Sequence, residues 1–314
     1  MKKLRIGTRP SQLALAQTEM VINSLKAKLP ELEFETVIIK TSGDSKQSEA
    51  NNIIRDKRDW IEELEQAILR EAIDLAVHSG KDVPYDISEK TILHSVLDRA
   101  DPRDIFIGRL KIDGNKILNQ NRLIFTELPQ GARVGTCSLR RRAQLLILRP
   151  DLKIEDLRGN VPTRLRKLDS DSSYDGIVLA SAGLIRLGNS LEGMDVIPPE
   201  LMLPASAQGI LTVQFKKDRE DLTEWIKKIS LKNTEACLFA ERSAIRCLEA
   251  DCASAVAIHA KTHGDNLEVK GRVFSYDGEE FIEALSMGPI SKSEELGREL
   301  GLALLKKGAK KLLS

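Results

Sequence analysis

Aromatic side chains are scarce in this 314-residue chain: two Trp, three Tyr and seven Phe make up 4% of it. Base stacking, on which binding of single-stranded nucleic acid depends, has little to draw on. Neither sign of charge is in excess, with 48 Lys and Arg against 47 Asp and Glu. A nearly neutral molecule lacks the broad basic field of a general nucleic-acid or membrane binder, so any anion site must be local. Cysteine is confined to Cys137, Cys237, Cys247 and Cys252, with no CxxC pair and no ligand-like spacing to the four histidines. Free thiols in a reducing compartment fit this pattern better than disulfides, and no metal site is indicated. Long apolar runs are missing, so no membrane-spanning helix is expected. The opening MKKLRIGTRPS breaks with Arg, Gly and Pro where a signal peptide needs continuous apolar residues. A cytoplasmic protein is expected, and without a long apolar seam a monomer.

Short apolar runs such as Val37 to Ile39, Leu75 to Val77 and Ile177 to Ala180 alternate with segments of helical period, the pattern of an α/β protein. Leu13, Met20, Val21, Leu25 and Leu29 are spaced as the buried stripe of a helix following the first strand. Trp60, Ile61, Leu64, Ala67 and Ile68 mark a second helix. Turn signals at Asp101-Pro102-Arg103 and Ile197-Pro198-Pro199 delimit a unit inserted into a first one, which resumes near Leu203. Beyond KKDRED a smaller third unit is expected, with a helix through Glu235 to Leu248, strands at VAIHA and LEVKGRVFSY, and a closing basic helix.

Two segments, RIGTRPS and RVGTCSLRRR, each run from a strand through a glycine and hydroxyl turn into a helix start. Unpaired N–H groups and the positive end of the dipole make such starts anion sites, and a nearby arginine adds a bidentate partner. DLRGNVPTRLRKLD contributes Arg158, Arg164 and Arg166, and Arg186 follows in SAGLIRLG. Four arginine-bearing turns suit several carboxylates, whereas a single phosphate would need one. Any one of these arginines taken alone also fits a solvated face, the reading given to Arg142. In LAVHSGKDVP, Lys81 and Asp82 directly follow an apolar strand, where ligands meet α/β sheets. A carboxylate there could hydrogen-bond a pyrrole N–H and stabilise a developing cation, although a turn aspartate before proline is the plainer reading. His78 reads as a packed residue. Cys252, between a helix and a strand, either faces a cleft from a loop or is an inert buried thiol; Cys137, Cys237 and Cys247 are read as inert.

These segments, in this order, resemble the porphobilinogen deaminase (hydroxymethylbilane synthase) family over essentially the whole chain. The motifs are RIGTRPSQLALAQ, HSGKDVP, DPRDIFI, GTCSLRRRAQL, RGNVPTRLRKLD, LASAGLIRL and LPASAQG. The resemblance implies an α/β fold of two periplasmic-binding-protein-like domains facing a cleft, plus a smaller α+β C-terminal domain. Domain 1 would span 1–100 and 202–222, domain 2 103–198, and domain 3 225–314. It further implies a dipyrromethane cofactor joined to Cys252 by a thioether. Asp82 would be catalytic, assisting loss of ammonia from porphobilinogen and stabilising azafulvene and pyrrolic cations. Four units would be joined and hydroxymethylbilane released by water. Lys81, Ser138, Arg140, Arg141, Arg158 and Asn160 fall on cofactor-binding positions. Arg9, Ser11, Arg164, Arg186, Gln208 and Lys57 fall on substrate-binding ones. No nucleic-acid, membrane or metal partner is implied.

The chain departs from the family pattern in three places. The stretch after TSGD, SKQSEANNIIRDKRDW, has no glycine and places Ile53 where a lysine is expected. Ala250-Asp251 replaces a Gly-Gly pair before Cys252, and Ser254-Ala255 a Val-Pro after it. Cys137 replaces a serine. The competing reading from another class is a non-catalytic or poorly active homologue that holds a small carboxylate in the same bilobed cleft.

Overall fold

A computed structural model of the chain describes residues 3–46, 57–113, 116–171, 173–250 and 254–313. The first unit contains β1 (Lys3–Thr8), α1 (Gln12–Lys28), β2 (Glu33–Ile38), α2 (Ser42–Lys46), α3 (Glu62–Leu69), β3 (Leu75–Ser79) and β4 (Thr91–Val96). The second contains β5 (Asp104–Gly108), β6 (Leu110–Asp113), β7 (Lys116–Arg122), β8 (Arg133–Gly135), α4 (Leu139–Leu148), β9 (Lys153–Glu155), α5 (Val161–Ser170), β10 (Gly176–Ala180), α6 (Ser181–Arg186) and β11 (Asp195–Val196). The chain then returns to the first sheet as β12 (Leu211–Lys216), followed by α7 (Glu220–Lys227). The third unit comprises α8 (Lys232–Leu248), β13 (Val256–His263), β14 (Asn266–Phe274), β15 (Phe281–Pro289) and α9 (Ser293–Lys306).

Strand order in the first sheet is β2-β1-β3-β12-β4, with β1 parallel to β2 and β3 and β12 antiparallel to both its neighbours. The second sheet runs β11-β5-β10-β8-β9, and β13-β14-β15 is antiparallel throughout. The double crossing between the sheets gives the expected architecture of two α/β units and a smaller α+β one. β3 and β10 lie inside their sheets and are apolar without alternation, LAVHS and GIVLA, because both faces are covered. Among the described residues no helix is long and apolar enough to cross a membrane.

Burial of α1 departs from its expected stripe. Val21, Ile22 and Leu25 are buried along with Gln17 and Thr18, whereas Met20 is 41% exposed. α1 packs on the interior strands β1 and β3, and only the arc of the helix that faces them is buried. Trp60 is also displaced from its expected place. It closes a 3-10 turn before α3, and its ring covers Gly43, where a Cβ would stand 2.5 Å from the indole.

The third unit packs on the first through one apolar cluster. Val83, Leu93, Ala207 and Ile210 join Ala240, Ala244 and Leu248 of α8. Behind this cluster Glu241, fully buried, pairs with Arg99 at 2.6 Å and accepts from the N–H groups of Ala207 and Ala260. A buried carboxylate is tolerated when its lone pairs are taken in this way.

Candidate active site

The turn Gly80–Asp82 continues β3, fixed from both sides of the sheet. Gly80 N donates to Ile210 O at 2.9 Å. The Gln17 amide of α1 donates to the Ser79 hydroxyl at 2.8 Å. Lys81 and Asp82 thereby follow a strand end held by the neighbouring chain segment and by α1. They line a cavity of about 230 Å³ together with Ser138, Arg140, Arg141 and Gln208. Ala250 and Ser254 from the third unit close it, so the segment bearing Cys252 begins and ends at this cavity. Cys252 itself lies outside the described residues.

Burial lowers the Lys81 ammonium to about 8, with Asp82 and Asp104 opposing the shift and Arg141 and Arg140 adding to it. Loss of water around a charge penalises the charged form, and a ring of cations does the same. Arg164, whose Nε donates to Gly159 O at 2.7 Å, is likewise lowered by burial and by Arg141, while Asp82 acts to raise it. These mutual influences place Lys81, Asp82, Arg141 and Arg164 within one electrostatic neighbourhood.

Arg140 and Arg141 are not the free cations that the sequence suggests. Both are 5% exposed and converge on Asp104, which is fully buried. Arg140 Nη1 reaches Asp104 Oδ2 at 2.7 Å and Leu203 O at 2.7 Å. Arg141 binds Asp104 Oδ1 through Nε and Nη2 at 3.0 and 2.7 Å, and Val178 O through Nη1 at 2.9 Å. Gln208 Nε2 adds bonds to Asp104 Oδ1 and Pro102 O at 3.0 and 2.7 Å. Burial alone would raise the Asp104 carboxyl, but the two guanidiniums hold it far below the ordinary carboxylate range. Two cations share one anion, which leaves this wall of the cavity with an excess positive charge. Asp104 stood in the sequence only within the DPRDIFI motif; a carboxylate opening an otherwise apolar strand, DIFIG, was the signal that it is buried and paired.

Arg9 is similarly committed. It binds Asp44 through Nη2 at 2.5 Å and Nε at 3.3 Å, and its guanidinium lies 4.1 Å from the Trp60 ring centroid. Asp44 accepts in addition from Thr41 N and Oγ1 at 3.1 and 2.8 Å. Burial works against its ionisation, yet Arg9 and Thr41 bring its carboxyl below the ordinary value.

Three expected site residues serve as helix caps. Ser11 accepts from Ala14 N at 3.2 Å, Ser138 from Arg141 N at 3.4 Å, and Asn160 from Thr163 N at 2.9 Å. Each satisfies one N–H of a helix start and leaves others available. Arg158 stands 3.7 Å from Asp156. Arg186 donates to Gly209 O at 2.6 Å, with its buried Nε unpartnered, and burial lowers it to about 10. Arg9, Ser11, Arg158, Asn160, Arg164 and Arg186 do not line the 230 Å³ cavity. Lys57 opens the 3-10 turn before α3, but its side chain lies outside the description, as does the 47–56 stretch.

Other residues read differently from expectation. Arg142 is half-buried and stacks on Tyr276 at 5.1 Å, because the hairpin of the third unit packs against α4. Cys137 is exposed, not buried, since it precedes the cap of α4. His78 is packed as expected, and burial lowers it to about 4. Among the described residues no His, Cys, Asp and Glu cluster could hold a metal ion.

Two family models cover most of the chain. "Porphobilinogen deaminase, dipyromethane cofactor binding domain" matches residues 4–224, and "Porphobilinogen deaminase, C-terminal domain" matches residues 235–306. The porphobilinogen deaminase of Geobacter metallireducens is 41% identical over 100% of this chain and 94% of its own length. That of Alkaliphilus metalliredigens is 38% identical over 100% of this chain and 95% of its own. Among solved structures, the periplasmic aliphatic sulphonate binding protein SsuA from Escherichia coli is 12% identical, with a TM-score of 0.41 over 79% of this chain and 71% of its own. The two family models and the full-length relatives establish that the chain belongs to the porphobilinogen deaminase family.

Proposed function

We propose that this chain is a transferase that deaminates porphobilinogen and joins four units head to tail on a dipyrromethane primer attached to Cys252, releasing hydroxymethylbilane. The observation that carries this reading is the meeting of Asp82, Lys81 and two buried arginines with both ends of the Cys252 segment in one cavity. Each pyrrole brings two carboxylates, so a two-ring primer needs several cations in a poorly solvated place. The lining fits: Lys81, Arg140 and Arg141 supply charge, and Ser138 marks a helix start with spare N–H groups, while Asn160 caps a helix start outside the lining. When bound, the primer supplies a covalent anchor and the nucleophilic α-carbon to which each unit is added.

The chain's own residues do the rest. Asp82 accepts a hydrogen bond from the pyrrole N–H and offsets the positive charge that develops on the ring as ammonia leaves. Lys81 pairs with carboxylates beside it. Arg9, Ser11, Arg158, Arg164, Arg186, Gln208 and Lys57 hold acetate and propionate groups of the primer, the incoming unit and the lengthening chain. For Arg9 this means exchanging Asp44 for a substrate carboxylate while Trp60 keeps the guanidinium plane in place. The protein is read as a cytoplasmic monomer that binds no nucleic acid, supported by its balanced charge and its free thiols. A purely carboxylate-binding role is not favoured, because the matched family model is itself a cofactor-binding deaminase domain.

Intact mass of the freshly purified chain tests the reading. A mass excess equal to two linked pyrrole units, absent in Cys252→Ala, is expected. An unmodified wild-type chain from a host rich in porphobilinogen would overturn it.

A further inference from the structure

Arg242 is a buried cation with no part in the site described above. It lies on α8, 9% exposed, and its donors go to main-chain carbonyls instead of a carboxylate. Nη1 reaches Val83 O at 3.3 Å, and Nη2 reaches Pro84 O at 2.9 Å and Tyr85 O at 3.2 Å. These are the residues that immediately follow Asp82. Burial lowers the guanidinium to about 10, with Arg246 contributing and Asp86 opposing. It therefore remains charged at neutral pH, and charged donors make the stronger class of hydrogen bond.

The segment that Arg242 holds is packed at its start and borders open space further on. Val83 packs into the cluster with Ala240, Ala244 and Leu248. Beyond it, Tyr85, Ile87 and Leu93 border a cavity of about 770 Å³ that Arg242 shares. The charges lining that cavity cancel, Lys217, Arg242 and Arg246 against Asp86, Glu89 and Glu294, so it favours no ligand of either sign. The first unit holds the 83–89 segment through Ser88 N, which donates to Glu65 Oε1 at 2.9 Å, and through the Arg58–Asp86 pair, so Arg242 is its polar tie to α8. The preceding residue of α8, Glu241, grips Ala207 N on the segment returning to the first unit and Arg99 on the segment leaving it. Helix α8 thus holds both chain segments that flank the Asp82 turn, and its end leads through Ala250 into the Cys252 segment.

We propose that Arg242 is a positioning residue for the transferase reaction, tying the turn that carries Asp82 to the helix that leads into the Cys252 segment. The inference rests on the role given above to Asp82. It predicts that the turn bearing the acid keeps its place relative to the end of α8 during the reaction. Displacement of a reacting group by about an ångström is enough to cost up to roughly a hundredfold in rate.

The test compares Arg242→Met, Arg242→Lys and Asp82→Asn with wild type, each normalised to its primer-loaded fraction by intact mass. Arg242→Met is expected to lower kcat about tenfold or more, with KM for porphobilinogen changed less than about twofold, since Arg242 touches no substrate. Arg242→Lys is expected to recover part of kcat, because an ammonium can reach some of the same carbonyls. Should the Met variant not fold, the Lys variant decides, by an intermediate kcat at unchanged KM. Wild-type kcat per loaded molecule in the Arg242 variants, with Asp82→Asn inactive, would overturn the positioning role alone. A raised KM at unchanged kcat would also overturn it, marking a binding residue. Full activity of Asp82→Asn would remove the reading of Asp82 and this inference with it.

Discussion

Lys81 shows how neighbours set the behaviour of a single side chain. Burial lowers its ammonium to about 8, with Asp82 opposing the shift and Arg141 and Arg140 adding to it. The charged form exists below that pH and is lost above it. Binding of a tetra-anionic primer or a carboxylate substrate should then weaken as pH rises through about 8. In the primer-free chain, the rate of primer loading followed by intact mass is expected to fall as pH rises through about 8, and Lys81→Arg should move that limb upward, because a guanidinium stays protonated there. An unchanged limb in the Lys81→Arg variant would assign it to another group. Arg9 makes the complementary point: its cation is already neutralised by Asp44, so under the proposed role a carboxylate binding there would exchange partners, which limits the net gain.

Among the elements, α8 has the most consequential end. Its C-cap, Glu249, sits at φ 51°, in the left-handed region where glycine is the usual occupant. The family's Gly-Gly pair would fall just beyond it, but here the sequence continues Ala250-Asp251. A side chain in this conformation costs roughly 1 kcal/mol. Glu249→Gly is expected to leave the urea midpoint unchanged or raised, by up to about 1 kcal/mol in stability, and to quicken primer loading of the freshly made chain as followed by mass. Lower stability with slower loading would show that the carboxylate of Glu249 matters more than its backbone. The elements themselves were readable in advance. Strands β3 and β10 declared themselves by apolar runs, and α1 and α4 by the glycine and hydroxyl turns that lead into them, whereas the segment of α5 read only as an arginine-bearing turn and its cap, Asn160, shows in the structure. Met20 and Trp60 were misread because periodicity reports a face, and only packing reports how wide that face is.

For the whole molecule, acid should be the weak side. His78 is buried and lowered to about 4, and His259, half-buried, is lowered to about 3 by burial and by Arg99 and Lys261. Both are held neutral in the folded protein, whereas the unfolded chain takes up protons near 6.5. Their contribution is fully present above pH 6.5 and is lost progressively as pH falls towards 4. At roughly 1.4 kcal/mol per unit, His78 alone accounts for about 3 kcal/mol over that window. Below it Asp44, Asp74 and Asp104, all lowered in the folded state, add their own loss. Urea midpoints should therefore fall between pH 6.5 and 4, less steeply in His259→Gln, and a flat midpoint across that range would contradict the burial of both imidazoles.

Much of the site was visible as motifs: the sequence alone identified the strand end with Lys81 and Asp82, the arginine-bearing helix starts and the order of segments that marks the family. It did so because strand, turn and cap preferences act over a few residues. It could not show what each arginine does. Arg9 finds Asp44 35 residues away, Arg140 finds Asp104 36 residues away, and Arg242 finds the carbonyls after Asp82 more than 150 residues away. Charge pairing depends on distance in space and on exclusion of water, and both are decided only when the sheets and α8 pack together.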